Sequence, residues 1–490
     1  MSLWSNKLVK MPKKSSSKPE PQPRFAIAIL AAGKGTRLQS RRPKVLHEIG
    51  GKPLLAHVVA AAAQVVPAQN IFAIIGHEAD AVRAALEKTG IGFVLQGEQR
   101  GTGHAMMEAR AALKEFANVL VLSGDVPLIT PETIARVRDF HLDRKAAMTV
   151  LTAEPADPTG YGRIFRRRLK GKPSDEIDRI IEQKALREDQ AQQREINSGI
   201  YAFATGPLYR HIGKLGTDNA HHEYYLTDIA ELLRKAGDKV VALKADDSAE
   251  VLGVNTRIEL AELDAKLRAR KARELMEAGT TIFRPETCDI DADVEIGTDT
   301  VIEPFVQLIG KTKIGSDCRI RSYSVISNCE IGDKVLIRPG CMLEDSTIRS
   351  GAELGPYAHL RPENDVGENA HVGNFVELKR TRLGAGSKAN HLSYLGNAEI
   401  GAGVNVGAGT ITCNYDGVTK SVTTIEDGAF IGSDSTLVAP VRIGRDAYVG
   451  AGSCITDDVP PDALAVARGR QVNKEGWVKQ RRARINSAAK

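Results

Sequence analysis

The apolar run FAIAIL at 25–30 opens directly into Ala31-Ala32-Gly33-Lys34-Gly35-Thr36-Arg37-Leu38, with Pro43-Lys44 shortly after. Glycines let a backbone approach a phosphate closely, and Arg37 and Lys44 would supply the positive charge that a triphosphate needs. The spacing is neither G-x-G-x-x-G nor G-x-x-x-x-G-K-[ST], which excludes a dinucleotide fingerprint and a Walker loop. Taken alone, the run also reads as a tight strand-to-helix turn with a solvated arginine. A second strand end, Ser123-Gly124-Asp125-Val126-Pro127-Leu128, adds a carboxylate at the carboxyl edge of a buried strand, where open α/β sheets bind ligands. Asp125 is therefore a candidate magnesium ligand. Much later, Arg361, Lys379, His391, Tyr394, Asn405, Asn414 and Tyr415 break a repetitive apolar pattern, and residues that break a repeat carry its chemistry. A histidine in such a pattern, without further support, is more often a surface residue than a catalyst.

Two kinds of element must position these groups. From 25 to 255, short β-branched runs (FAIAIL, NIFAIIG, GFVLQ, NVLVLSGDV) alternate with helical patterns (LLAHVVAAAAQVV after Pro53, EADAVRAALEK, HAMMEARAALKEF). That alternation predicts an α/β domain with a mainly parallel, Rossmann-like mixed sheet covered on both faces. Residues 256–279 are rich in helix formers with charges on most faces and predict an exposed linking helix. From 280 to 467 apolar residues recur every six positions, as in Ile290, Ile296, Ile302, Leu308, Ile314, Ile320 and Ile326, with one-residue slips at Ile331 and Ile348. A period of six fits neither 3.6 nor 2; it fits a parallel β-helix of hexapeptides, each apolar residue pointing into a prism. The interruption between Val406 and Ile425 predicts a loop excursion, and the flat sides of such a solenoid suit packing of copies, most simply a homotrimer.

Composition bounds the rest. A chain of 490 residues exceeds one hydrophobic core, and 42% hydrophobic with 26% charged residues is ordinary globular usage. The formal charge of +6 resides in the ends: residues 1–24 carry about +5 and 468–490 about +7, leaving the middle near −6. Both ends are expected to be solvated, flexible basic extensions. With aromatics at 5% and no apolar run approaching a bilayer span, nucleic-acid binding and membrane insertion are not expected. The N-terminal stretch lacks the apolar core of a secretory signal, so a cytoplasmic protein is expected. Cys288, Cys318, Cys329, Cys341, Cys413 and Cys454 show no C-x-x-C spacing and read as reduced thiols.

At larger scale the motifs LAAGKGTRL with PK, QRGTGHA, GDVPL, TGYGRI, EINSGIYAF and GVN, followed by the hexapeptide half with HLSYLG and CNYDG, make a specific set. Their order over 25–478 resembles the family of bacterial bifunctional N-acetylglucosamine-1-phosphate uridyltransferases and glucosamine-1-phosphate acetyltransferases. The resemblance implies a nucleotide site of Leu30, Ala31, Ala32, Gly33, Arg37, Lys44, Gln96, Gly101, Thr102, Ser123, Gly124 and Asp125, with magnesium held by Asp125 and Asn255. Gln96 and the Gly101-Thr102 turn would read uracil, and Gly162, Glu182 and Asn197 would hold the N-acetylated sugar. Ser123 departs from the tyrosine frequent in relatives. Attack of a sugar phosphate on UTP needs no general base, because a phosphate monoester is largely dianionic at neutral pH; the task is alignment and charge neutralisation.

In the second half the resemblance implies His391 as the base that deprotonates an amine attacking the thioester of acetyl-CoA. Arg361 and Lys379 would bind the phosphate of glucosamine 1-phosphate, and Tyr394 and Asn405 the sugar. Asn414, Tyr415, Ala408, Ser433, Ala451 and Arg468 would serve the acetyl-CoA. Cys413 reads as a bystander thiol, since direct transfer needs no covalent intermediate. An alternative keeps only the nucleotidyltransferase and makes the β-helix a scaffold.

Overall fold

A computed structural model describes residues 24–169, 172–219 and 221–488. The basic N-terminal extension lies outside these residues, save Arg24. The chain divides into two compact units that meet in sequence between Leu263 and Asp264, inside the helix Arg257–Glu277.

The first unit is built on a nine-stranded sheet. Gly92–Leu95, Ile71–Ile75, Phe25–Ala31 and Asn118–Ser123 pair in parallel in that order. Ile196–Ala204 then runs antiparallel between Asn118–Ser123 and Met148–Ala153, which pairs in parallel with Val240–Lys244; the hairpin Arg163–Leu169/Lys172–Ile181 closes the edge. The central strands are continuously apolar because both faces are buried: Ile27 and Ile29 enter one core cluster, Ala26 and Ala28 the other. Pro53 precedes the helix Leu54–Ala63, its fixed φ suiting a helix start. The pattern at 102–116 breaks at Ala109 into Thr102–Glu108 and Arg110–Leu113.

The helix Arg257–Glu277 differs from the exposed linker expected. Leu263, Leu267, Ala272 and Leu275 form a buried stripe at helical spacing, and the last two belong to the core of the second unit. Charges on its other faces mask this narrow stripe in the sequence.

The second unit is a left-handed parallel β-helix whose three walls contain 11, 10 and 9 short strands. One core runs through it from Ala272 to Val459, with the hexapeptide residues Ile290, Leu308, Ile326, Leu343 and Leu360 stacked inside. Each coil advances by three hexapeptides where the period of six is intact, setting Glu295 beside Lys313, and falls short of that where the period slips, setting Lys313 beside Glu330. One coil is longer: Ala398 pairs with Thr423, because residues 414–422 leave the prism as a small hairpin closed by a Tyr415–Lys420 bridge. All six cysteines are free thiols. The C-terminal stretch, expected to be flexible throughout, contains the helix Trp477–Ala488. Helix-forming Lys, Gln, Arg and Ala dominate it, and Arg481 lies over the Trp477 ring one turn away, at 5.4 Å. All its described side chains are exposed, so solvation of this stretch stands while its lack of structure does not.

Candidate functional sites

In the first unit, two adjoining clefts of about 650 and 260 Å³ open at the carboxyl end of the sheet. Leu30, Ala31, Ala32, Gly33, Lys44, Gln96, Gly101, Thr102, Ser123 and Asp125 line the larger, and Arg37, Ser123, Asp125 and Asn255 line the smaller. Gly124 stays behind the wall: its N–H bonds the Leu30 carbonyl at 2.9 Å, tying two strands together. Gly35 must be glycine, for its φ of 63° is left-handed and an added Cβ would stand 2.5 Å from Lys44 Cβ. Gly33 has open space where its Cβ would be.

Asp125 and Asn255, distant in sequence, are joined by cations. Lys44 Nζ forms an ion pair with Asp125 Oδ2 and donates to Asn255 Oδ1 at 2.9 Å, while Arg37 donates to the same Asn255 oxygen at 2.8 Å. Asn255 immediately precedes the helix Arg257–Glu277 without capping it. Thr256 is the cap, its hydroxyl accepting from Glu259 N at 3.2 Å, while Glu259 Oε2 accepts from the N–H groups of Thr256 and Asn255, both at 2.7 Å. This frees the Asn255 side chain for the cleft. Ser123 donates its hydroxyl to Asp125 Oδ1 at 2.7 Å.

The base-side wall rests on close backbone contact. Gly103 N donates to the Tyr224 carbonyl at 2.7 Å, and Cβ atoms at Gly101 or Gly103 would lie within 3 Å of that oxygen. Gln96, only 3% exposed, bonds Gly101 and His104. Gly162, Glu182 and Asn197 come together but line neither cleft. A Cβ on Gly162 would sit 3.4 Å from the Glu182 carboxylate, and Asn197 N donates to the Gly162 carbonyl at 2.9 Å. Burial pushes the Glu182 carboxyl above its ordinary range. The Asn197 amide is turned inward: Nδ2 donates to the Tyr201 hydroxyl at 2.9 Å and Oδ1 accepts from Gly199 N.

In the second unit the polar residues fall into two columns and one outlier. His391 ends the strand Lys388–His391, opposite Asn374 on the preceding coil. Its Nδ1 is 2.8 Å from Asn374 Oδ1; an N–H donated there leaves the lone pair on Nε2, as a base requires. Continuing the pairing of Lys388 with Asn405 and Ala389 with Val406 brings Ala408 level with His391. Ser433 and Ala451 stack above it, with Asp434 N donating to the Ala408 carbonyl at 2.7 Å and Gly452 N to the Ser433 carbonyl at 2.8 Å. Arg468 donates to the Ala451 carbonyl at 3.0 Å. His391, Ala408, Ser433, Ala451 and Arg468 thus form one ledge of small residues with a base at its foot and a guanidinium at its head.

The second column runs across the neighbouring wall. Glu377 pairs with Tyr394 and Lys379 with Gly396, and Arg361 stands one coil below Lys379, in an ion pair with Glu377 at 3.2 Å. The Tyr394 ring lies over Gly396, where a Cβ would stand 2.5 Å from the tyrosine hydroxyl. The Arg361 guanidinium, and after it the Lys420 ammonium, pulls the Lys379 amine below the ordinary lysine range. Asn414, nearly buried, donates to Asn397 Oδ1 at 2.7 Å, and Tyr415 is exposed with its hydroxyl on the Gly417 carbonyl. Asn405 is the outlier: it faces outward beside Lys388 and Phe430, on a different wall from Tyr394. Cys413 follows Thr412 on the Tyr394 wall and is half-buried.

Sequence reasoning did not single out His104, Asn374, Glu377, Gly396 or Lys420. The first four lie inside motifs or intervals already marked, and Lys420 in the register break. For the four β-helix residues what was missing was the coil-to-coil register, which decides the residue that each side chain meets on the next coil; for His104 it was the fold that brings Gln96 against its helix.

Known families divide the chain in the same way. The MobA-like NTP transferase domain matches 27–282, and the bacterial transferase hexapeptide repeat matches 293–328, 311–345 and 423–457. The bifunctional protein GlmU of Koribacter versatilis is 65% identical over 94% of this chain and 98% of its own length. The chain belongs to the bifunctional GlmU family. Two further members, from Solibacter usitatus and Streptococcus agalactiae, are 50% and 46% identical, covering 94% and 93% of this chain and 98% of each relative. Among solved structures, a CMP-2-keto-3-deoxy-manno-octonic acid synthetase bound to CTP is similar over 50% of this chain and 99% of its own, at 19% identity and a TM-score of 0.38. Membership of the GlmU family accounts for two separate constellations, one in each unit.

Proposed function

We infer that this chain is a bifunctional enzyme of UDP-N-acetylglucosamine synthesis. Its β-helix transfers the acetyl group of acetyl-CoA to glucosamine 1-phosphate, and its α/β unit couples the product to UTP with release of pyrophosphate. The observation that carries the reading is the pairing on one chain of a cationic, carboxylate-bearing nucleotide cleft with a solenoid ledge holding an oriented histidine.

In the uridyl transfer, Arg37 and Lys44 neutralise the phosphates of UTP and Gln96 with the Gly101-Thr102 turn holds the base. Gly162, Glu182 and Asn197 form the support behind the sugar. The donor set of Asp125 and Asn255 fits magnesium, being all-oxygen and already held against a cation, while among the described residues no group of three or more His, Cys, Asp or Glu competes for it. When bound, the ion supplies further charge neutralisation at the phosphates. In the acetyl transfer, Nε2 of His391 takes the ammonium proton of the amino sugar, whose phosphate lies against Arg361, Lys379 and Lys420. The ledge of Ala408, Ser433 and Ala451 accepts the thioester arm and Arg468 its phosphates. Cys413 has no part in this route.

Asn405 standing on another wall from Tyr394 supports a homotrimer in which a neighbouring copy completes the sugar site. We place the enzyme in the cytoplasm; among the described residues no helix is long and apolar enough to cross a membrane. We keep 25–255 and 280–467 as the two catalytic domains, joined through 256–279. Separate variants test the assignment. Asp125→Asn is expected to lower pyrophosphate release roughly a hundredfold and leave acetyl transfer intact, and His391→Ala to lower acetyl transfer by about a hundredfold or more and leave uridyl transfer intact. Loss of both activities in one variant marks a folding defect, and in a variant that circular dichroism shows to be folded it contradicts the assignment of separate sites.

A further inference from the structure

The larger cleft contains a hydrogen-bond chain that fixes one amide. Gln96 Nε2 lies 3.1 Å from the Gly101 carbonyl oxygen and 3.1 Å from His104 Nδ1. A carbonyl oxygen only accepts, so the Gln96 atom facing it is the nitrogen, and the orientation of the amide follows from chemistry. The second N–H then meets Nδ1 of His104, which has to be the lone pair of that ring. The ring proton is left on Nε2, 3.3 Å from Glu108 Oε1, one helical turn further along Thr102–Glu108. The imidazole also stacks on Tyr224, at 6.3 Å and 26°. With both N–H groups used internally, Gln96 offers the cleft only Oε1, an acceptor.

An acceptor discriminates between pyrimidines at ring position 3. Uracil carries an N–H there, whereas cytosine carries a lone pair and would leave two acceptors facing each other. We propose that Glu108 and His104 are positioning residues that hold the Gln96 amide with its oxygen toward the base, and so set the preference for uracil over cytosine nucleotides. The proposal rests on the reading of Gln96 as the residue that faces the base.

The test is kcat/KM of the full-length chain for UTP and for CTP, with N-acetylglucosamine 1-phosphate and magnesium, and acetyl transfer as a fold control. His104→Leu removes the acceptor that holds the amide and is expected to reduce the UTP:CTP ratio about tenfold, the worth of one hydrogen bond, through KM for UTP. His104→Asn, whose Oδ1 takes the place of Nδ1, keeps the ratio within about threefold. Glu108→Leu, at a partly exposed position, lowers it about threefold. Acetyl transfer is unchanged in all three. An unchanged ratio in His104→Leu, or an equal loss in His104→Asn and His104→Leu, overturns the proposal. A wild-type enzyme that takes CTP as readily as UTP removes the reading of Gln96 itself, and the proposal with it.

Discussion

Chemistry in this protein depends on side chains that hold other side chains. Asn374 fixes the ring of His391, so Asn374→Ala is expected to lower kcat for acetyl transfer about tenfold while uridyl transfer keeps its rate; parallel steady-state assays of the two half-reactions check it. Lys379 gives a pH dependence with a definite sign. Its amine is held below the ordinary lysine range by Arg361 and Lys420, so it loses its charge earlier than a free lysine as pH rises, and phosphate binding weakens through that range. KM for glucosamine 1-phosphate should therefore climb on the alkaline side, and Lys379→Arg, which stays charged, should move the climb to higher pH. A KM profile identical in wild type and Lys379→Arg contradicts this role. The residue types were legible in the sequence because His391, Asp125 and Arg37 interrupt apolar patterns. Their partners were not, since Asn374 and Glu377 are ordinary polar residues until the register puts them against His391 and Arg361.

At the scale of elements, the sheet and the solenoid were legible because apolar period encodes burial directly: six in the β-helix, continuous runs in the doubly covered strands. The helix Arg257–Glu277 was misjudged because its narrow buried stripe, Leu263, Leu267, Ala272 and Leu275, is outnumbered by charges. The helix Pro131–Arg144 offers a quantitative check on packing. His141, 1% exposed, packs edge-on against Phe25 and places Nδ1 2.9 Å from Thr149 Oγ1, and burial lowers its pKa to about 4. In the unfolded chain the same ring titrates near 6.5, so below that pH the unfolded state gains a proton that the folded state refuses. Stability from this group is present above pH 6.5 and is lost as pH falls toward 4, on the order of 2 kcal/mol by pH 5. Chemical denaturation at pH 7 and pH 5 should show that loss in wild type and a smaller one in His141→Gln.

For the whole molecule, two architectures share one chain, and each unit has its own core. The sequence revealed this division through its change of period. It did not reveal which residues meet from coil to coil, although Asn405 and Tyr394, 11 positions apart in a coil of about three hexapeptides, fall on different walls. Joining both reactions in one chain predicts sequential dependence. The most direct measurement incubates the purified protein with glucosamine 1-phosphate, acetyl-CoA, UTP and magnesium, and follows free thiol and pyrophosphate separately. Both are expected to be released, with pyrophosphate appearing only when acetyl-CoA is present. Pyrophosphate from pre-acetylated sugar phosphate, with no thiol released from acetyl-CoA and glucosamine 1-phosphate, would reduce the β-helix to a scaffold and contradict the role of His391.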